Sequence, residues 1–251
     1  MQKKYVLMLA ALLFCCSCQL MAQTRLWLTG KAVPGGCVEM TKAPDGSFKY
    51  GGKLNAGTLL IATDKVVHAG TQYLKPDDED AYVINEGVSY TITNNAKNAA
   101  WIVPFAEKYY QIHVAPKDNK TGNESGRIHK PWHYAYIAGG ATEFGWSQYQ
   151  MQKMTQDKNN PCIFTWTGKL QDNTKKGYEE PKRIKIQGQL SWSNKAFHAY
   201  KQDEDLLSSS QMRYGGEDTK WSVNKNGVYK ITINTLQETI SAQLIRESKD
   251  K

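Results

Sequence analysis

Phe48-Lys49-Tyr50-Gly51-Gly52-Lys53-Leu54 returns later in the chain as Phe164-Thr165-Trp166-Thr167-Gly168-Lys169-Leu170. Upstream, Leu28-Thr29-Gly30-Lys31-Ala32 returns as Ile137-Ala138-Gly139-Gly140-Ala141. Downstream, Trp101-Ile102-Val103 followed by Tyr109 returns as Trp221-Ser222-Val223 followed by Tyr229. The spacing between copies grows along the chain, as it does when one fold is duplicated and its loops then lengthen. Solenoid repeats run to about 20–50 residues. This period is longer, the size of a small domain. The chain therefore reads as two related modules in tandem.

Both modules carry strand patterns. Val228-Tyr229-Lys230-Ile231-Thr232-Ile233 alternates, with Tyr229, Ile231 and Ile233 on one face; period two with one apolar face is a half-buried strand. Asn226-Gly227 before it tolerates positive φ, which predicts a hairpin between residues 221–223 and 228–233. Residues 239–244 alternate again and are expected to return against that strand, and residues 109–114 take the corresponding role in module one. Residues 151–157 could hold a helical turn, but no longer helical periodicity exists. Short strands separated by Gly, Asn and Pro predict an all-β chain of two tandem β-sandwich domains, carbohydrate-binding-module-like and immunoglobulin-like in architecture. Module one spans 25–116, a polar stretch at 117–130 reads as a linker, and module two spans 131–251.

The N-terminus belongs to neither module. Lys3 and Lys4 precede a short apolar run, then Cys15-Cys16-Ser17-Cys18 and Leu20-Met21-Ala22-Gln23, so residues 1–22 read as a secretory signal. Cleavage after Ala22 would release a soluble chain; cleavage before Cys16 or Cys18 would leave a cysteine for lipid attachment. The protein is thus expected to be exported, to the periplasm or to the outer membrane and cell surface. The formal charge of +8 includes Lys3 and Lys4, and the remaining lysines are scattered rather than massed, which argues against a nucleic-acid partner. Cys37 and Cys162 lie one per module at unmatched positions and read as single thiols.

Catalytic patterns are lacking. His129 and His133 have the spacing of a zinc helix, but Pro131 between them breaks it. There is no nucleophile elbow, phosphate loop or dinucleotide fingerprint, so neither enzyme activity nor a cofactor is expected. The acidic runs Asp77-Asp78-Glu79-Asp80 and Asp203-Glu204-Asp205 read as solvated loops shared by the two copies. The aromatics say more. Trp101, Trp166 and Trp221 sit at strand positions repeated between modules and read as core. Trp192 lies in Gln187-Gly188-Gln189-Leu190-Ser191-Trp192-Ser193-Asn194-Lys195, a polar loop. An indole there, beside Asn194 and Lys195, either stacks on the C–H face of a pyranose or folds back to cap the sandwich edge. Trp146, after Gly145 in another loop, is a second candidate platform.

The run from Pro161 to Leu170, Arg183-Ile184-Lys185-Ile186 ahead of Trp192, and the closing strands around Tyr229 together resemble the SusE and SusF starch-binding outer-membrane proteins of Bacteroidetes. The resemblance covers most of module two and, more loosely, module one. It implies non-catalytic binding of an α-glucan polysaccharide at the outer membrane, beside a transporter complex. It also implies Trp192 as the stacking residue, with Lys185, Asn194 and Lys195 as hydroxyl partners. Module one has Val66-Val67-His68 where module two has its tryptophan loop. The other reading of the chain is a structural or interaction protein of the outer membrane with no glycan site.

Overall fold

The computed structural model describes residues 25–118 and 121–248. The signal segment lies outside the described residues. Among those described there is no α-helix, and no helix is long and apolar enough to cross a membrane. The chain divides into two compact units, ending and beginning at Ile128 and His129.

Unit one carries β1 (Trp27–Thr29), β2 (Cys37–Glu39), β3 (Thr41–Lys42), β4 (Phe48–Leu54), β5 (Gly57–Ala62), β6 (Tyr73–Pro76), β7 (Asn85–Thr93), β8 (Trp101–Val103), β9 (Glu107–Asp118) and β10 (Thr121–Ile128). Their order is β2-β1-β5-β6-β7-β10-β9-β4-β3, with β8 pairing β5. The sheet curls so that Leu28, Leu59 and Ile61 from one half meet Phe48, Ile112 and Val114 from the other in one core.

Unit two repeats this plan with β11 (Tyr136–Ala138), β12 (Gln152–Lys153), β13 (Thr155–Gln156), β14 (Ile163–Leu170), β15 (Arg183–Gln187), β16 (Ala196–His198), β17 (Glu204–Asp205), β18 (Arg213–Tyr214), β19 (Trp221–Ser222), β20 (Gly227–Asn234) and β21 (Thr239–Glu247). One sheet runs β12-β11-β15-β16-β18, with β19 on β15, and the other runs β13-β14-β20-β21. Ile137, Ile184, Ile186 and Phe197 from the first pack against Phe164, Trp166, Tyr229, Ile231 and Ile233 from the second. Each such side chain contributes about 1.5–3 kcal/mol by leaving water. This is the sandwich that the alternation predicts.

The duplication is visible residue by residue. Trp101 opposes Leu59, as Trp221 opposes Ile184, and both indoles are fully buried. Tyr110 donates its hydroxyl to the Phe105 carbonyl, and Tyr229 donates to that of Lys225. The partner of Tyr229 is thus the buried Tyr110, one residue on from Tyr109. Gly30 and Gly139 both have positive φ, and a Cβ on either would run into a strand carbonyl, of Thr58 and Arg183 respectively. At Gly139 the approach would be 2.1 Å at φ +146. Gly139→Ala is therefore expected to destabilise unit two by roughly 3 kcal/mol. Denaturant unfolding checks this; a loss below about 1 kcal/mol would contradict so close an approach.

Three expectations are corrected. The polar stretch at 117–130 is not a linker: residues 121–128 form β10, paired on both sides to β7 and β9. Backbone bonds hold this strand, and its glycines answer to close neighbours. A Cβ at Gly122 would enter the Tyr90 ring and one at Gly126 the Val83 carbonyl. The hairpin at 221–233 does not form, because β19 pairs β15 and β17 while β20 pairs β14 and β21, in the opposite sheet. Gly227 is set by the Arg246 carbonyl, which a Cβ would meet at 2.3 Å, rather than by a tight turn. Residues 151–157 form β12 and β13 instead of a helical turn, with a short 3₁₀ turn at Gln148–Gln150 ahead of them. Residues 239–244 do return against β20, in β21.

One buried ionisable group stands out in unit one. Glu124 on β10 is fully buried, opposite Val88 and Val114. Asn85 donates to its Oε2 at 2.7 Å. Burial pushes its pKa up to about 8 and outweighs that hydrogen bond, which acts to lower it.

Candidate functional site

The candidate site lies on the outer face of the β11–β15–β16 sheet of unit two. On β15, Ile184 and Ile186 point to the core, so Arg183, Lys185 and Gln187 take the other face. Two loops build up over that face. The first joins β11 to β12 and carries Trp146; the second joins β15 to β16 and carries Trp192.

The Trp146 loop is tied down at several points. Asn173, itself buried, donates to the carbonyls of Gly140 and Thr142 at 2.7 and 2.8 Å. Tyr178 donates its hydroxyl to the Glu143 carbonyl, and the Trp146 indole N–H donates to the Glu179 carbonyl at 2.8 Å. Gly140 admits the backbone of 179–180, whose carbonyls would lie 2.3–2.4 Å from a Cβ. The Trp192 loop is closed by Gly188 N–H donating to the Lys195 carbonyl and by Gln189 donating to Ser191 Oγ.

These loops bring the two indoles together. The Trp146 and Trp192 rings lie 5.9 Å apart between centroids and are tilted by 52°. Trp192 is 44% exposed. The Lys185 ammonium lies 5.8 Å over the Trp192 ring, and the Lys220 ammonium 5.6 Å over the Trp146 ring. Asp218 joins the two lysines: its Oδ1 accepts from Lys185 Nζ at 2.6 Å, and its Oδ2 lies 3.3 Å from Lys220 Nζ. His198 Nδ1 lies 3.3 Å from the same Oδ1. Behind them, Arg183 grips Asp203 through two bonds of 2.6 and 2.7 Å and Glu180 through one of 2.7 Å.

The electrostatics follow from these partners. Burial alone would raise the Asp218 carboxyl, but the hydrogen bond and charge of Lys185, with the charge of Lys220, hold it below its ordinary value. The Arg183 hydrogen bond likewise holds Asp203 low. Burial lowers His198, helped by the nearby Lys185 charge and opposed by Asp218. A glycosidase acid needs the reverse, a carboxyl raised so that it keeps its proton.

Of the residues read from the sequence, Trp192, Trp146 and Lys185 come together here. Asn194 is exposed on the Trp192 loop. Lys195 is not part of the cluster by contact: its stem crosses Gly188 and its ammonium lies 5.3 Å over the buried Trp132 ring. Lys220 and Asp218 were missed. A signal for Lys220 exists, since a core Trp221 turns the extended residue before it onto the outer face. His129 and His133 go separate ways, His129 buried against Thr235 and His133 beside Tyr134.

Unit one has no equivalent pair among the described residues. The position matching Lys185 is Leu60, and the loop matching that of Trp192 carries Val66 and Val67, 72% and 63% exposed.

No protein-family model matches the chain, and no curated protein matches it. Among solved structures, SusF from Bacteroides thetaiotaomicron is similar at 12% identity and a TM-score of 0.38, over 89% of this chain and 48% of that one. The chain thus spans about half the length of that structure's chain.

Proposed function

We propose that the protein binds a neutral polysaccharide without cleaving it, and that unit two holds sugar rings on the Trp146–Trp192 platform. The observation that carries this reading is the pair of tilted, adjacent indoles, each with a lysine ammonium over one face of its ring. Indole faces take the C–H face of a pyranose, and ammonium donors take its hydroxyls. A tilt between neighbouring rings suits a curved chain such as an α-glucan better than a flat one.

The charges favour an uncharged ligand. Arg183, Lys185 and Lys220 are matched by Glu180, Asp203 and Asp218 in one connected network. One or two stacked rings with a few hydroxyl bonds net about 4–6 kcal/mol, or millimolar to tens of micromolar affinity. The leader-like N-terminus and the strand resemblance support a place in glycan capture at the outer membrane, beside a transporter.

Affinity electrophoresis in gels containing glycogen, starch or dextran tests the reading. Retardation by at least one glucan is expected; sugar release, or free migration in every gel, would overturn it. Asp218→Asn tests the lysine clamp. It removes the charge that orients Lys185 and Lys220, and glycan affinity is expected to fall roughly five- to tenfold with folding intact. An unchanged titration by calorimetry would show that the lysines need no such holder.

A further inference from the structure

The same combination of an exposed aromatic ring and a lysine recurs elsewhere on unit two. Tyr134, on the chain leading into β11, is 49% exposed, and the Lys153 ammonium lies 4.6 Å over its ring. The Tyr136 ring lies 6.3 Å away, tilted by 42°. Beside Tyr134 opens a cleft of about 460 Å³, floored by the buried Met154 and Phe164 and walled by Lys153, His133 and Thr155. That volume falls within the range of small-molecule sites, and an apolar floor with a few polar walls is their usual composition. Lys153 differs from Lys185 and Lys220 in one respect. Among the described residues its ammonium has no carboxylate partner, so its donors are uncommitted.

The register relates this cleft to the platform. Tyr136 opposes Lys153 on one side and Gln187 on the other, while Ala138 opposes Lys185. Tyr136 and Lys185 therefore lie on the same outer sheet face. Tyr134 stands four residues along the chain from Ala138, roughly 13 Å at strand spacing. One polysaccharide chain could reach both.

We propose that the Tyr134–Lys153 cleft is a second saccharide contact of unit two, taking another pyranose of the chain that lies on the Trp146–Trp192 platform. The proposal rests on the platform reading. Tyr134 supplies the stacking face, and the exposed Lys153 moves aside and donates to ring hydroxyls. Two weak contacts on one tethered chain raise avidity without either becoming tight.

The test uses the full chain, with Tyr134→Ala and Lys153→Ala compared against Trp192→Ala. A short oligosaccharide, maltotriose, probes one contact; glycogen probes both. Tyr134→Ala and Lys153→Ala are expected to weaken glycogen retardation roughly tenfold and to weaken maltotriose binding in calorimetry less than Trp192→Ala does. Trp192→Ala is expected to weaken both. Full glycogen retardation in Tyr134→Ala and Lys153→Ala, with Trp192→Ala defective, would overturn the second contact and leave the platform standing. Full retardation in all three variants would overturn both. Lys153 is exposed, so its variant answers the question even if loss of the Tyr134 ring disturbs folding.

Discussion

Replacing Trp192 by alanine is expected to lower glycan affinity by at least tenfold while leaving unit two folded. The ring is nearly half exposed and the loop that carries it is closed by backbone bonds that do not involve the indole. Little stability is therefore lost with the side chain. What is lost is a stacking face and the surface against which Lys185 is set. A stacked aromatic contributes about 0.5–1.5 kcal/mol beyond its buried area, and area burial by an indole adds more. Trp146→Ala should have a similar effect on binding but a larger one on stability, because its N–H bond to Glu179 helps dock its loop. Isothermal titration with an oligosaccharide, alongside thermal melts, separates the two. Equal affinity in wild type and Trp192→Ala would remove the indole from the site.

The second large effect concerns Glu124. The native state holds a proton on this carboxyl up to about pH 8, whereas an unfolded chain releases it near the ordinary value of 4.5. Between those values the unfolded state binds fewer protons, so stability falls as pH rises, by up to about 1.4 kcal/mol per pH unit. The loss begins near pH 4.5 and is complete above about pH 8. Glu124→Gln keeps the shape and an acceptor for Asn85 but cannot ionise. The variant is expected to match wild type near pH 5 and to exceed it by several kcal/mol near pH 9. Hydrogen exchange of the β7, β9 and β10 amides reports on unit one apart from unit two. A gap between variant and wild type that does not widen with pH would contradict the buried, protonated carboxyl.

These two sites differ in how far the sequence exposes them. The duplication, the strand faces and the buried Trp101 and Trp221 are legible because apolar alternation encodes burial directly. Trp192 is legible as an indole stranded in a polar loop. β10 is not, because Thr121-Gly122-Asn123-Glu124-Ser125-Gly126 has no apolar alternation. Its place depends on hydrogen bonds to two neighbours and on glycines that clear Tyr90 and Val83. The 221–233 hairpin misleads for a related reason: Asn226-Gly227 has the composition of a tight turn, yet the strands on either side belong to opposite sheets. Lys220 and Asp218 reach the platform only through the pairing of β19 with β15, a contact between distant parts of the chain. Lys195 lies apart from the pair for the converse reason. Sequence proximity to Trp192 does not set direction, and Gly188 lets its stem turn toward Trp132.

The most direct measurement of the central claim is an indole-resolved NMR titration. The chain has seven tryptophans, each with its own N–H resonance. On adding a soluble α-glucan oligosaccharide, the Trp146 and Trp192 signals are predicted to shift together and saturate on one curve, while the buried Trp101 and Trp221 stay still. Unmoved Trp146 and Trp192 signals at millimolar oligosaccharide, from this or any other neutral glycan, would contradict the platform.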